Sequence, residues 1–365
     1  MKFKISKEDF IEGLQQVQHV VSNRTTLPIL SNVLLEADGD ALKLTTTDLD
    51  VGVSGSVKAT VSKSGSTTLP ARRLAGIVRE LPSDEVSVEV TAKDVASIKS
   101  GPSFFKILGL SKEEFPPLAT FEDANEYKID QKVLKEALKM TSYAISTDET
   151  RYVLNGILCS FKDGSLTLVA TDGRRLAMVQ NDVEFPKSLE TEVIVPTKAV
   201  NELQRLLSDD GEVKISISDS QISFELNDNI LVSKLIEGNY PNYSQVIPEE
   251  TKERIPLDRE SFLSTVNRVS LLANEKSNSV KCVFSKDQIN VTANSQDVGE
   301  ANETIEVSYK GPGVEIAFNP EFLMAPLRNL DADEIYLELI DEMSPGVIRT
   351  TGSFLYVLMP MRVSQ

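Results

Sequence analysis

The 365-residue chain repeats itself three times, and that periodicity limits its fold more than any other feature. Phe3-Lys4-Ile5 returns as Tyr127-Lys128-Ile129, and Leu257-Asp258 marks a third copy. Each marker precedes a helix start: Ser6 before Phe10 and Leu14, Asp130 before Leu134 and Leu138, Asp258 before Phe262 and Val266. Ser and Asp suit these places because their side-chain oxygens accept a free backbone N–H of the first turn. Apolar residues three and four apart then give each helix one buried face.

A second helix recurs at the same interval, opening at Pro70-Ala71-Arg72-Arg73-Leu74, Pro196-Thr197-Lys198-Ala199-Val200 and Pro320-Glu321-Phe322-Leu323. Proline is expected inside the first turn, where its missing N–H costs nothing. An acidic turn and an alternating strand follow each time, at Glu85 to Val90, Glu212 to Ile217 and Glu334 to Leu339. Alternating runs lie between the helices, such as Ala41 to Leu44, Ser165 to Val169 and Gln288 to Thr292. Turns such as Asp38-Gly39-Asp40 and Lys162-Asp163-Gly164 make these antiparallel hairpins. Phe115-Pro116 and Tyr240-Pro241 close the first two copies. The pattern predicts an α+β chain of three like domains, at 1–121, 127–250 and 251–365.

Composition narrows the function. Cys159 and Cys282 are far apart and lack ligand spacing, which points to a reducing, cytoplasmic compartment. Cys159 is expected to pack in an apolar strand. A single histidine, His19, weighs against a His-based zinc site or a Ser-His-Asp triad and reads as a helix-surface or core residue. No metal or cofactor is expected. The first ten residues turn charged before any apolar run develops, so no secretory signal and no membrane association are expected.

The net charge of −17 argues against nucleic-acid binding only if it is evenly spread. It is not. The expected helices at 7–20, 71–81, 131–141, 197–207, 259–272 and 320–330 sum to +4, leaving −21 for strands and loops. If the helices share one surface, that surface can face phosphates while the rest repels them.

Repeat, helices and tail together resemble the bacterial DNA polymerase III beta subunit family, the replicative sliding clamps, from Met1 to Arg362. The resemblance rests on Asn23-Arg24-Thr25-Thr26-Leu27-Pro28-Ile29-Leu30, Leu154-Asn155-Gly156, Ala170-Thr171-Asp172-Gly173-Arg174-Arg175-Leu176-Ala177, Tyr240-Pro241-Asn242-Tyr243 and Tyr356-Val357-Leu358-Met359-Pro360-Met361-Arg362. It implies three clamp-type domains, each with antiparallel sheets outside and two helices inside. Two copies join head to tail as a homodimeric ring around duplex DNA. Such a ring performs no chemistry. It tethers the replicative polymerase catalytic subunit and also serves the clamp loader, translesion polymerases and repair proteins.

The resemblance also implies site residues. Arg24, Arg151, Tyr152 and Lys198 match positions that touch duplex or single-stranded DNA. Charge alone adds Arg72, Arg73, Lys132, Lys135, Lys139 and Arg205. Contact would be independent of sequence. Leu154, Thr171, Gly173, Arg175, Leu176, Pro241, Val246, Val357, Met359, Pro360 and Met361 would line a groove for linear peptides with Gln and Leu or Phe anchors. Arg174 and Arg362 would stand on its rim. The apolar tail, with two methionines beside a proline, suits many partners. Dimerisation would pair an edge strand at Lys99 to Leu108, with Phe105, Lys99 and Lys106, against Leu271, Leu272 and the strand around Glu300, Glu303 and Glu306. By the same resemblance, Pro102 and Phe104 stand where better-known members can carry arginines, leaving Lys99 and Lys106 for salt bridges.

Two other readings compete. Asp172 with Arg174 and Arg175 would serve a phosphate-handling enzyme, since paired arginines recognise phosphate. Yet no Gly-rich phosphate loop accompanies them, and Asp48 after Thr47 mirrors Asp172 after Thr171, as shared turn chemistry would. An acidic protein-binding repeat without DNA is the third, and ring formation separates it from a clamp.

Overall fold

In a computed structural model the described residues are 1–21, 27–121, 124–249, 251–273, 278–295, 297 and 299–362. The first copy runs β1 (Lys2–Ser6), α1 (Lys7–Val17), β2 (Asn32–Asp38), β3 (Ala41–Thr47), β4 (Val51–Lys58) and β5 (Thr60–Lys63). It continues with β6 (Gly65–Pro70), α2 (Ala71–Glu80), β7 (Glu85–Val90), β8 (Val95–Ser100) and β9 (Ser103–Leu108). The second holds β10 (Asn125–Asp130), α3 (Gln131–Thr141), β11 (Gly156–Lys162), β12 (Ser165–Thr171) and β13 (Arg175–Asp182). Its second half is β14 (Thr191–Pro196), α4 (Thr197–Leu206), β15 (Glu212–Ile217), β16 (Gln221–Leu226) and β17 (Asn229–Lys234). The third holds β18 (Glu253–Asp258), α5 (Arg259–Ser270), β19 (Val280–Ser285), β20 (Gln288–Ser295) and β21 (Gly299–Glu306). It ends with β22 (Val314–Phe318), α6 (Pro320–Asn329), β23 (Glu334–Leu339), β24 (Gly346–Arg349) and β25 (Phe354–Leu358).

The expected N-caps are in place. Ser6 Oγ accepts from the Asp9 N–H at 3.0 Å, Asp130 Oδ1 from Lys132 at 2.8 Å, and Asp258 Oδ1 from Ser261 at 2.7 Å. The second helices differ from expectation. Only Pro320 lies inside its helix, capped by Asn319; Pro70 and Pro196 are the last residues of β6 and β14. A strand end tolerates proline as a helix start does, because no ladder bond needs its nitrogen. Helices α1 and α5 also end before the expected 20 and 272, at Val17 and Ser270. The turn Asp163-Gly164 has φ of 50° and 71°, the doubly left-handed geometry whose twist matches a two-residue hairpin.

The chain forms two compact units. Unit one comprises Met1–Lys135 with Lys198–Leu235, and unit two Glu136–Thr197 with Ile236–Gln365. In unit one an eight-stranded sheet runs β10-β15-β16-β17-β4-β3-β2-β6, beside a five-stranded sheet β5-β1-β7-β8-β9. In unit two the order is β14-β11-β12-β13-β25-β24-β23-β18, beside a four-stranded sheet β21-β20-β19-β22. Each large sheet therefore joins halves of two different copies. Helix α1 packs on α2 in unit one, and α5 on α6 in unit two. Phe3 and Phe10 meet edge to face at 6.2 Å in the first core, and Phe262, Phe284 and Phe318 are fully buried in the second.

Within unit one, α4 is tied down by Lys198, whose ammonium donates to the Val20 carbonyl at 3.0 Å and to the Asp48 carboxylate. Burial disfavours ionisation of Asp48. Hydrogen bonds from Lys198 and from the Val51 and Asp50 amides outweigh it and hold the carboxyl below its ordinary pKa. A depressed carboxylate adds stability that is complete above the unfolded pKa of about 3.9 and is lost as pH falls through the lower folded value. Lys198→Ala should therefore lower Tm by about 2–4 °C at neutral pH, with the deficit shrinking in thermal melts as pH falls below about 4 and through the depressed pKa of Asp48. A deficit that persists in acid would assign the effect to something other than Asp48.

Candidate functional site

The β12–β13 turn is built by its own side chains. Thr171 Oγ1 donates to the Arg175 carbonyl at 2.6 Å and accepts from the Gly173 N–H at 3.1 Å. The Asp172 carboxylate accepts from the amides of Arg174 and Arg175, at 2.9 and 3.1 Å, and from Arg175 Nε at 3.0 Å. Copy one uses the same scheme: Thr47 Oγ1 donates to the Val51 carbonyl, and Asp48 accepts from the amides of Asp50 and Val51. Its central residue, Leu49, has φ of 79° where Gly173 has 84°. The oxygens of Asp172 are thus committed to a turn, and the phosphate-handling enzyme loses its acid or base. Copy three's counterpart includes Gln296, which lies outside the described residues.

Arg175, expected along the groove, is half-buried, its side chain 14% exposed. Its guanidinium turns inward, 4.4 Å from the Phe322 ring centre and 6.0 Å from Tyr143, and donates to the Tyr143 carbonyl at 2.6 Å. The inward turn follows from the Asp172 bond, which holds the side chain over the aromatic rings. Arg174 stays exposed and offers its carbonyl to the Met359 N–H at 3.0 Å. That bond continues the β13–β25 ladder, in which Arg175 faces Leu358 and Leu176 faces Val357. The Met361 N–H is held in turn by the Ala317 carbonyl at 2.7 Å. The tail is therefore docked, yet Met359 keeps 42% of its surface exposed and does not complete a core.

Leu154, Leu176 and Val357 are buried, so they can only floor a groove. Leu176 and Val357 belong to an apolar cluster with Leu158, Val169 and Leu355, on which Val153, Tyr240, Tyr243 and Ile247 pack half-buried. Pro241, exposed, and Val246, 45% exposed, stand among these connector residues. The structure so brings the turn, the connector and the tail together in unit two. The sequence reading did not assign Val153, Tyr240, Tyr243 and Ile247 to the site; the motif Tyr240-Pro241-Asn242-Tyr243, read as a copy boundary and as a family motif, was their signal.

The cations are less free than their count suggests. Lys135 pairs with Asp209 at 2.7 Å, Lys139 with Asp331 at 2.9 Å, and Arg205 with Glu202 at 3.5 Å. Arg151 reaches Asp148 at 3.6 Å and the Asp172 carbonyl at 3.3 Å, while Arg72 donates to the Val21 carbonyl at 3.2 Å. Arg73 and Lys132 are exposed, with no ion pair among the described residues, and Tyr152 is exposed. Arg24 lies outside the described residues. The exposed pairs, Lys135–Asp209, Lys139–Asp331 and Arg151–Asp148, are worth about 0–1 kcal/mol each, whereas Glu202, the partner of Arg205, is buried.

The residues expected at the dimer joint lie at two sheet edges. Strand β9 ends the five-stranded sheet and exposes Phe104, Phe105 and Leu108. The run Lys99 to Leu108 is not one strand: the chain reverses at Gly101, φ 52°, placing Lys99 on β8 with its ammonium 5.7 Å above the Phe104 ring. Lys106 is exposed on β9 itself. Strand β21 ends the four-stranded sheet, with Glu300 and Glu306 exposed and Glu303 held by Arg268 and Thr265. Leu271 follows α5 and is 78% exposed; Leu272 beside it is half-buried. His19 is exposed just beyond α1. Cys159 and Cys282 are buried, and burial pushes both thiols up to about 12. Among the described residues, no helix is long and apolar enough to cross a membrane.

Comparison with known proteins follows the three copies. Family models described as the DNA polymerase III beta subunit N-terminal, central and C-terminal domains match residues 1–119, 128–242 and 244–362. The chain is 38% identical to the beta sliding clamp of Chlamydia muridarum over 363 residues, covering 100% of this chain and 99% of that one. It is 32% identical to the Bacillus subtilis beta sliding clamp, covering 99% of this chain and all of that one. The crystal structure of the Pseudomonas aeruginosa sliding clamp bound to griselimycin superposes over all of both chains, with a TM-score of 0.96 at 34% identity. By sequence, by fold and by the order of its three domains, the chain belongs to the DNA polymerase III beta subunit family of bacterial sliding clamps.

Proposed function

We propose that the protein encircles duplex DNA as a head-to-tail homodimer and tethers the replicative polymerase to it, without chemistry of its own. The full-length match to beta sliding clamps carries this reading. The domains would be 1–121, 127–250 and 251–365, and the compartment the cytoplasm. Two copies supply six domains, with the helices facing DNA. Retention is topological, so a weak, exchangeable positive field suffices and tight phosphate contacts would only add friction. Arg73, Lys132 and Tyr152 would meet DNA directly. Lys135, Lys139, Arg151, Lys198, Arg72 and Arg205 would exchange their present partners for phosphates, and Arg24 belongs with them by resemblance.

The sheets supply the argument for the dimer. Strand β4 pairs with β17, and β13 with β25: in both joints the third strand after one copy's first helix meets the third strand after another copy's second helix. The strands left over are β21 and β9, both edges. A second copy would satisfy them by the same joint, removing two exposed edges per protomer. Phe104 and Phe105 on β9 and Leu271 beside β21's sheet would be its apolar anchors.

The unit-two groove at Leu176, Pro241, Val246, Val357, Met359, Pro360 and Met361 would take linear peptides with Gln and Leu or Phe anchors. Leu154, Thr171, Gly173 and Arg175 would shape its floor, and Arg174 and Arg362 its rim. The polymerase, clamp loader, translesion polymerases and repair proteins would present such peptides in turn. That a relative binds griselimycin agrees with a ligand-ready surface in this family.

Three outcomes are expected. Protein loaded on nicked circular DNA should stay bound through high salt and be released when the circle is linearised; loss from the intact circle would defeat the ring. Leu271→Ala with Leu272→Ala should shift the protein to monomer in sedimentation, and an unchanged dimer would defeat the joint. Deleting Met359 to Gln365 should abolish binding of a Gln–Leu anchored peptide, in fluorescence anisotropy, while the ring stays dimeric; full affinity in the truncation would sink the groove.

A further inference from the structure

The copies serve as internal controls for one another. Ladder registers align two rows of side chains across the large sheets. In unit two the row is Leu158, Val169, Met178 and Leu355, each facing the next across a strand pair. The matching row in unit one is Leu34, Thr45, Ser54 and Ile230. Over the first row the connector lays Tyr240, Tyr243 and Ile247. Over the second, the connector Phe115 to Thr120 leaves a cavity of about 440 Å³.

Two causes combine to open it. Valine and methionine are replaced by Thr45 and Ser54, whose hydroxyls are buried and satisfy each other at 3.0 Å. The connector's own anchors are also diverted. Phe115 packs on Ile29 and Leu30, and Leu118 sits so close to Gly52 that a Cβ there would come within 2.2 Å of it. The volume falls within the roughly 300–1,000 Å³ of ordinary ligand sites. Its walls are apolar at Leu34, Ile230 and Val232, and exposed Lys43 and Lys112 stand at its mouth opposite a single carboxylate, Glu36.

We propose that this unit-one cavity takes an aromatic side chain from a partner's linear peptide, with an acidic neighbour held by Lys43 and Lys112. The occupant is inferred from unit two, where tyrosines of the chain itself fill the corresponding space, and from the excess of lysine at the mouth. The site is separate from the Met359 groove and does not depend on that groove's assignment.

The test uses the full-length dimer and two fluorescein-labelled peptides, one with a single phenylalanine between aspartates and one with Gln and Leu anchors. Thr45→Val with Ser54→Met restores unit two's residues and should weaken the aromatic–acidic peptide at least tenfold, leaving the Gln–Leu peptide unaffected. Lys43→Ala with Lys112→Ala, both on the surface, should weaken it about threefold and flatten its salt dependence, whether or not the filled variant folds. The proposal is overturned by no saturable binding to the unaltered protein, by equal affinity in the lysine variant, or by loss only in the Met359 to Gln365 truncation. Failure of the Gln–Leu peptide alone would count against the unit-two groove and leave this site standing.

Discussion

Strand pairing between copies is the interaction on which the rest of this structure depends. Five residue pairs join β4 to β17, from Val51–Ser233 to Gly55–Asn229, and five join β13 to β25, from Arg175–Leu358 to Val179–Phe354. Each copy makes two half-sheets; the β4–β17 and β13–β25 joints unite four of the six, and β9 and β21, the strands equivalent to the joining ones, remain edges. The docked tail is a consequence. Because β25 continues the ladder of β13, Met359 is delivered to the Arg174 carbonyl and fixed there. Without that ladder a terminal segment would be expected to stay loose.

The same turn chemistry yields different surfaces in different copies. Thr47-Asp48 and Thr171-Asp172 fold their turns through equivalent hydrogen bonds. Copy one then spends its aspartate on Lys198, and copy two spends its aspartate on Arg175. The first bond ties a helix into unit one. The second holds a guanidinium 4.4 Å from the Phe322 ring centre. A triplicated scaffold can thus hold its backbone constant while single side chains assign separate tasks, and the contrast between filled and hollow connector cavities is a further case.

Electrostatics follows this division as well. Most basic side chains on the helices already hold a carboxylate or a carbonyl. For a protein that must move along DNA this is an advantage. In the proposed role, a cation that exchanges one weak partner for another would gain little at any single phosphate, so no register along the duplex would be favoured.

Much of the local structure was legible in the sequence. The strands at Glu85–Val90, Glu212–Ile217 and Glu334–Leu339 and the caps at Ser6, Asp130 and Asp258 depend on nearest neighbours, and alternation and capping chemistry are local signals. The repeat and the family motifs likewise lie along the chain. The partners of β4 and β13 could not be read there, because their ladders join residues 182 and 183 positions apart at Val51–Ser233 and Arg175–Leu358 and no periodicity encodes that choice. The reversal at Gly101, the inward turn of Arg175 and the pairing of Lys135, Lys139 and Lys198 were equally hidden. Each depends on which groups the tertiary fold brings within a few ångströms, and hydrogen bonds and ion pairs have no reach beyond that.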